Sequence, residues 1–332
     1  MGATGQANTA SGSRERSGNT AGLALAAGTA LVSGVSVFVN SYGVHAITAP
    51  DVYTTAKNLV AFAVLGAFAL CARQVAALHA WREPAAAGGA ALRAGWRVWA
   101  GLAYIGVVGG GLAFVLFFDG LAETTAVPAA FWHDTLIVWV ALLAMPLLGE
   151  RIRWWNGAAI ALLLLGQIAL SSGVGRLGAS RGEMLVLVAT LLWSVEVVVA
   201  KRLLTGFSPA TLALVRMGVG GATLLAYLAA NGQLHLLTSF GASQVRWALL
   251  TGLLLAAYVG TWMSALRLAR AIDVSSILVL SVVVTALLQD AAGTAHVAPQ
   301  WLGIVLVVAG VGLIGFMCTR VRARTTAMIG PS

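Results

Sequence analysis

Two stretches decide the fold: PDVYTTAKNLVAFAVLGAFAL, residues 50–70, and PATLALVRMGVGGATLLAYLA, residues 209–229. Each opens on a proline, carries one cation seven residues later (Lys57 and Arg216), and is otherwise apolar for about the 20 residues that cross a hydrocarbon core of roughly 30 Å. They lie 159 residues apart. A second pair of marks repeats at 146 residues: Trp155-Asn156-Gly157 with Gly166, and Trp301-Leu302-Gly303 with Gly312. The two shifts differ because the segment Ala72 to Arg97 after the first stretch is longer than its counterpart in the second half. The chain therefore reads as an internal duplication of membrane-spanning helices.

Working outward, apolar runs long enough to span appear at about 21–43, 52–71, 98–118, 126–148 and 154–172. Five more follow at about 184–200, 210–230, 247–268, 274–295 and 301–318. With five spans per half, the second half enters from the opposite face. The expected fold is an all-α membrane protein of ten transmembrane helices arranged as two inverted five-helix repeats, the plan on which many secondary transporters alternate access. The expected organisation is a disordered tail over residues 1–20, a first repeat over 21–175, a second over 182–318, and a short tail over 319–332. Both tails are expected on the cytoplasmic side.

Composition agrees with lipid as the main solvent. Only 9% of 332 residues are charged and 59% are hydrophobic, with mean hydropathy +0.90, against about 25% charged residues in a soluble chain. The net charge of +9 does not point to nucleic acid, because the cations sit in short inter-helix loops and form no stripe. They are topology signals. With a cytoplasmic N-terminus, fifteen of the 20 Lys and Arg residues fall on the inside and three (Arg176, Arg181 and Arg246) outside, as the positive-inside rule requires. The remaining two are Lys57 and Arg216. The run Ala21 to Val39 is read as a retained first helix in place of a cleaved signal. Arg-rich, Ala- and Gly-rich usage points to a GC-rich bacterial genome, and the expected location is the bacterial inner membrane. Cys71 and Cys318 are too few for a disulfide framework and read as small packing residues.

A cation near the bilayer centre costs on the order of 2.5–3.5 kcal/mol, so Lys57 and Arg216 should face a wet cavity and hold anionic substrate groups. The plainer alternative is an interhelical ion pair, or snorkelling to the nearer interface. Trp132-His133-Asp134 places an imidazole beside a carboxylate within a span, a pairing able to exchange protons. Neighbouring side chains on a helix point about 100° apart, so one of His133 and Asp134 should face the cavity and the other a neighbouring helix. Glu196 lies three residues after Trp193 and on a similar face. Together they would suit a substrate amine, unless Glu196 is spent on Arg216 or Lys201. Trp132 and Trp193 would form cavity walls. Asn40, Tyr42 and Tyr53 are candidates for an outer vestibule. Gly109-Gly110-Gly111 would let a neighbouring helix approach closely. Metal-ligand spacing, a P-loop, a dinucleotide fingerprint and a nucleophile elbow are absent from the sequence, so neither a cofactor nor catalysis is expected.

On the Leu148-Gly149-Glu150 triplet, Trp155, Gly157 and Gly166 in one half, and Trp193, Pro209, Arg216, Trp301, Gly303 and Gly312 in the other, the chain resembles EamA-type members of the drug/metabolite transporter superfamily. The resemblance covers about residues 21–318. It implies ten helices, cytoplasmic termini, a central cavity between the repeats, and export of amino acids or related metabolites. The pattern is varied here: Gly34 stands where a counterpart of Trp193 would, His296 where a counterpart of Glu150 would, and Lys57 replaces the usual arginine. The expected partners are a small-molecule substrate and membrane lipids, with no nucleic acid; a homodimer is left open. The competing readings are efflux of lipophilic or cationic drugs and, in a different class, a membrane-embedded lipid-modifying enzyme.

Overall fold

The computed structural model describes residues 3–47, 49–71, 95–152, 154–171, 180–293 and 301–328. Its elements are all helical: α1 (Ala3–Ala46), α2 (Pro50–Cys71), α3 (Trp96–Glu123), α4 (Ala126–Asp134), α5 (Leu136–Leu148), α6 (Trp154–Ser171), α7 (Arg181–Leu203), α8 (Pro209–Ala230), the short α9 (Leu234–Thr238), α10 (Ala242–Leu268), α11 (Ala271–Leu278), α12 (Leu280–Ala291) and α13 (Trp301–Met328). Local chemistry sets several of the ends. Ser208 caps α8 by accepting from the Thr211 N–H at 3.1 Å, with Pro209 in the first turn, where its missing N–H costs nothing. Gly149, at φ +68°, closes α5 in a left-handed conformation that glycine adopts without strain.

Eight helical units among the described residues are long and apolar enough to cross a membrane, counting α4 with α5 and α11 with α12 as one unit each. Ten were expected. The other two, Trp154–Leu170 and Trp301–Met317, are shorter apolar helices. Helix α1 begins at Ala3 although its membrane-length part begins at Asn19. Likewise α13 continues to Met328. The segment 72–94, His296 and the side chain of Cys318 lie outside the described residues. Cys71, expected as a packing residue, is exposed at the end of α2.

Packing partners come in pairs. Helix α1 packs on α10 and α7 on α3; α2 packs on α10 and α8 on α3; α1 packs on α11 and α12, and α7 on α4 and α5. Helices α2 and α8 meet each other, as do α6 and α13. The α6–α13 contact passes through two of the marker glycines: a Cβ on Gly166 would come within 2.9 Å of the Gly303 carbonyl, and one on Gly303 within 2.7 Å of the Gly166 carbonyl. Gly157 and Gly312 have open space around them.

The middle of α3 departs from the α-helix. Tyr104–Leu112 is a π-helical segment, a form that occurs chiefly as short insertions at functional sites. It contains Gly109-Gly110-Gly111, and there the backbones of α3 and α8 nearly touch. A Cβ on Gly110 would overlap the Arg216 carbonyl, and one on Gly220 would overlap Gly110. The glycine triplet thus sets the distance between α3 and α8, and Lys57 on α2 and Arg216 on α8 face the space beside it.

Candidate functional site

A central cavity of about 70 Å³ is lined by α1 (Ser33, Ser36, Asn40), α2 (Lys57), α3 (Phe114, Phe117, Phe118), α4 and α5 (His133, Leu136), α7 (Trp193, Glu196), α8 (Arg216) and α10 (Leu255, Tyr258, Trp262). Taking ~10–15 Å³ for each water on this measure, it has room for about five waters. Five of the seven sequence candidates, Lys57, His133, Trp193, Glu196 and Arg216, meet on its wall.

The two intramembrane cations are used differently. Arg216 is 5% exposed and Glu196 4%. The guanidinium donates from Nε to Glu196 Oε1 at 2.5 Å and from Nη2 to Oε2 at 3.1 Å, the two-point geometry that favours arginine over lysine. Nη2 also donates to the Gly109 carbonyl at 3.3 Å. Nη1 is buried and has no hydrogen-bond partner. Lys57, 2% exposed, has no carboxylate within ion-pair distance among the described residues. Its ammonium donates to Asn40 Oδ1 at 2.9 Å and lies 3.7 Å from the Phe118 ring centre, with Tyr53 and Phe114 at 5.6 and 5.9 Å. That contact with aromatic faces partly replaces lost hydration. The Tyr53 hydroxyl donates to the same Asn40 oxygen at 2.6 Å, which fixes Asn40 as an acceptor for both. Of the residues expected in a vestibule, Asn40 is on the cavity wall, Tyr53 supports it from behind, and Tyr42 is exposed.

The π-helical segment supplies the acceptors for this arrangement. Besides Arg216, the indole N–H of Trp193 donates to the Gly109 carbonyl at 2.9 Å, and the Asn58 amide donates to the Gly110 carbonyl at 3.1 Å. Side chains from α2, α7 and α8 are thereby tied to one irregular stretch of backbone, whose carbonyls are available because the regular α-ladder is interrupted. A Cβ on Gly109 would overlap the Glu196 carboxylate.

His133 and Asp134 divide as their helical spacing requires. His133 lines the cavity, its ring 5.5 Å from Trp193 and 5.7 Å from Phe117. Asp134 points to α12, where Ser281 donates to both its oxygens at 3.0 and 3.1 Å, and it contacts His133 Nδ1 at 3.1 Å. Both aspartate and serine sit beside breaks, at Thr135 between α4 and α5 and at Val279 between α11 and α12. Trp132 is not a cavity wall: its indole donates to Glu183 Oε2 at 2.7 Å. The triplet Leu148-Gly149-Glu150 serves a second place. The Glu150 carboxylate accepts from the backbone N–H groups of Ala271 and Ile272 at 2.8 and 3.1 Å, so the end of α5 caps the start of α11. Close by, Lys201 donates to the Leu266 and Ala269 carbonyls at 2.5 and 2.6 Å and satisfies the end of α10.

Four features of the site escaped the sequence reading: Ser33 and Ser36, Asn58, the aromatic face of α3, and Tyr258 with Trp262. A signal existed for the third, since Phe114, Phe117 and Phe118 recur at the spacing of one helix face.

The sequence matches the EamA-like transporter family over residues 20–172 and again over 180–316. No curated protein matches. One solved crystal structure of a protein is similar in fold, with a TM-score of 0.65 and 19% identity over 92% of this chain and 99% of that one. The matched segments take in every cavity-lining residue, and the chain belongs to the EamA-like transporter family, in keeping with the drug/metabolite transporter superfamily.

Proposed function

We propose that the chain is a secondary transporter that moves small polar, amino-acid-like metabolites through the central cavity by alternating access. Export from a bacterial cytoplasm across the inner membrane is the direction that the family suggests. The observation that carries this reading is the meeting of Lys57, Arg216, Glu196 and His133, from four helices drawn from both matched segments, on one buried cavity. Buried charges of this kind are costly in a membrane and are kept where something must be bound or moved.

Ten spans, as two inverted repeats with both termini in the cytoplasm, are the topology proposed for the motion. Two observations support it. Exchanging the halves turns each packing pair into another (α1–α10 into α7–α3, α2–α10 into α8–α3), while α2–α8 and α6–α13 map onto themselves. The strong inside bias of Lys and Arg gives the orientation. Rocking one repeat against the other would loosen in turn the contacts at the two ends of the bundle: Glu150, Lys201 and their backbone partners at one end, Trp132 with Glu183 at the other.

Proton coupling is assigned to His133 and Asp134. A proton arriving at the imidazole from the cavity changes the charge of a unit tied by Asp134 to Ser281 on α12, which links occupancy of the site to a helix of the other half. Drug-cation efflux is the weaker reading, because the two carboxylates it would use are already engaged, Glu196 by Arg216 and Asp134 by Ser281 and His133. A lipid-modifying enzyme would need its polar groups gathered at one interface, and these gather at the centre.

The test is flux into proteoliposomes of a panel of amino acids, nucleobases and cationic drugs, with and without a pH gradient. Uptake of carboxylate-bearing metabolites that rises with the gradient is expected. Movement of cationic drugs alone would remove this reading in favour of drug efflux.

A further inference from the structure

We infer that the cavity selects its substrate as a small organic anion, reading a carboxylate and giving no seat to an amine. This rests on the cavity being the transport site. The groups on the wall that would hold an ammonium most strongly, a carboxylate, an amide oxygen and the aromatic faces around them, are engaged by the protein itself. Both Glu196 oxygens accept from Arg216. The Trp193 ring is packed by Phe114 and Phe117, each at 5.3 Å, and by His133 at 5.5 Å. The collar of Phe118, Tyr53 and Phe114 already holds the ammonium of Lys57, and Asn40 Oδ1 already accepts from both Lys57 and Tyr53.

What is left over is of the opposite kind. Lys57 has three N–H donors, of which one is used on Asn40. Arg216 Nη1 is a buried donor without a partner. Counting Lys57 and Arg216 against Glu196, the charged groups on the wall carry one positive charge in excess. A surplus of donors and of positive charge in a cavity walled largely by apolar and aromatic side chains is complementary to a carboxylate, whose oxygens accept charge-assisted hydrogen bonds and nothing else. The volume of about 70 Å³ fits an acid of three or four carbons.

Lactate, alanine and alaninamide separate the possibilities, since they share a carbon frame and carry a carboxylate, both groups, and an amine alone. Binding to the purified full-length chain at one fixed pH is measured by thermal shift and titration, alongside flux of the same three compounds in proteoliposomes. Lactate is expected to stabilise and bind, alanine to bind at least tenfold more weakly because its ammonium finds no charged partner, and alaninamide to give no response. Lys57→Met should weaken lactate binding at least tenfold, and Lys57→Arg should retain it. Absence of a lactate response, alaninamide binding equal to lactate, or lactate binding by Lys57→Met at the wild-type level would each overturn the inference. Should Lys57→Met fail to fold, the ranking of the three ligands on the wild-type chain decides alone. Flux of alaninamide without lactate would overturn the anion inference and leave transport standing. Lactate binding with no flux of any compound would support the anion site and remove the transport reading.

Discussion

The Arg216–Glu196 pair sets up a test in which the two partners are not equivalent. Both side chains are almost fully buried, and the guanidinium is joined to the carboxylate at two points. Changing Glu196→Gln keeps the volume and removes the charge, which leaves a guanidinium that cannot lose its proton. Removing one partner of a buried pair costs about 3–5 kcal/mol. The glutamine side chain keeps one neutral carbonyl acceptor for the guanidinium, beside the Gly109 contact already present at 3.3 Å, and recovers on the order of 1 kcal/mol. Glu196→Gln should therefore lose about 2–4 kcal/mol of stability. Arg216→Met should lose less, because a lone carboxyl can discard its charge by taking up a proton. The double change Glu196→Met with Arg216→Met should return to within about 1–2 kcal/mol of wild type, yet transport nothing. Denaturant unfolding in a fixed detergent measures all four proteins, with flux on the same preparations. If Glu196→Gln unfolds within about 0.5 kcal/mol of wild type, or the double variant is less stable than either single one, the pair does not hold the site together in this way.

The glycines of the π-helical segment make a sharper spatial claim. Gly110→Ala drives a methyl group into the Arg216 carbonyl and should cost about 1–3 kcal/mol by overpacking, while Gly157→Ala, with open space around it, should be neutral or slightly stabilising; equal melting temperatures for the two would contradict the close approach of α3 and α8. Glu150→Ala removes the carboxylate that caps α11 and should cost about 1 kcal/mol, seen as earlier thermal unfolding; an unchanged melting temperature would contradict the cap. His133→Ala should abolish acceleration of flux by a pH gradient while leaving exchange without a gradient measurable, and a response to the gradient that survives this change would take proton coupling away from His133.

Much of this arrangement was legible beforehand, and the reason differs from residue to residue. Lys57 and Arg216 stood out because every other cation falls in a loop or terminal segment, fifteen of them inside, and a charge left within a span asks for a cavity. The duplication was legible because proline-to-cation spacing and Trp-x-Gly marks survive where bulk apolar sequence drifts. The partners of the two cations were legible only in part. Arg216 was one of two candidate partners for Glu196, beside Lys201, while Asn40 was not matched to Lys57; the choice depends on how α1, α2, α7 and α8 are set against one another, which no spacing within a helix reveals. Trp132 and Asp134 were grouped with His133 by adjacency, yet the helical rotation of about 100° per residue and the break at Thr135 send them to Glu183 and Ser281. The glycine triplet read correctly as a place of close approach. Its second role, presenting the Gly109 and Gly110 carbonyls to Trp193, Arg216 and Asn58, comes from the π-helical backbone, which composition does not announce.

The central claim is that a substrate passes the buried cations of this cavity, and the most direct measurement is flux of a small carboxylate through wild-type and Lys57→Met protein in proteoliposomes matched for insertion and folding. Saturable wild-type flux reduced at least tenfold in Lys57→Met is the predicted result. Equal flux through both proteins, or none through the wild type for any carboxylate tried, would contradict it.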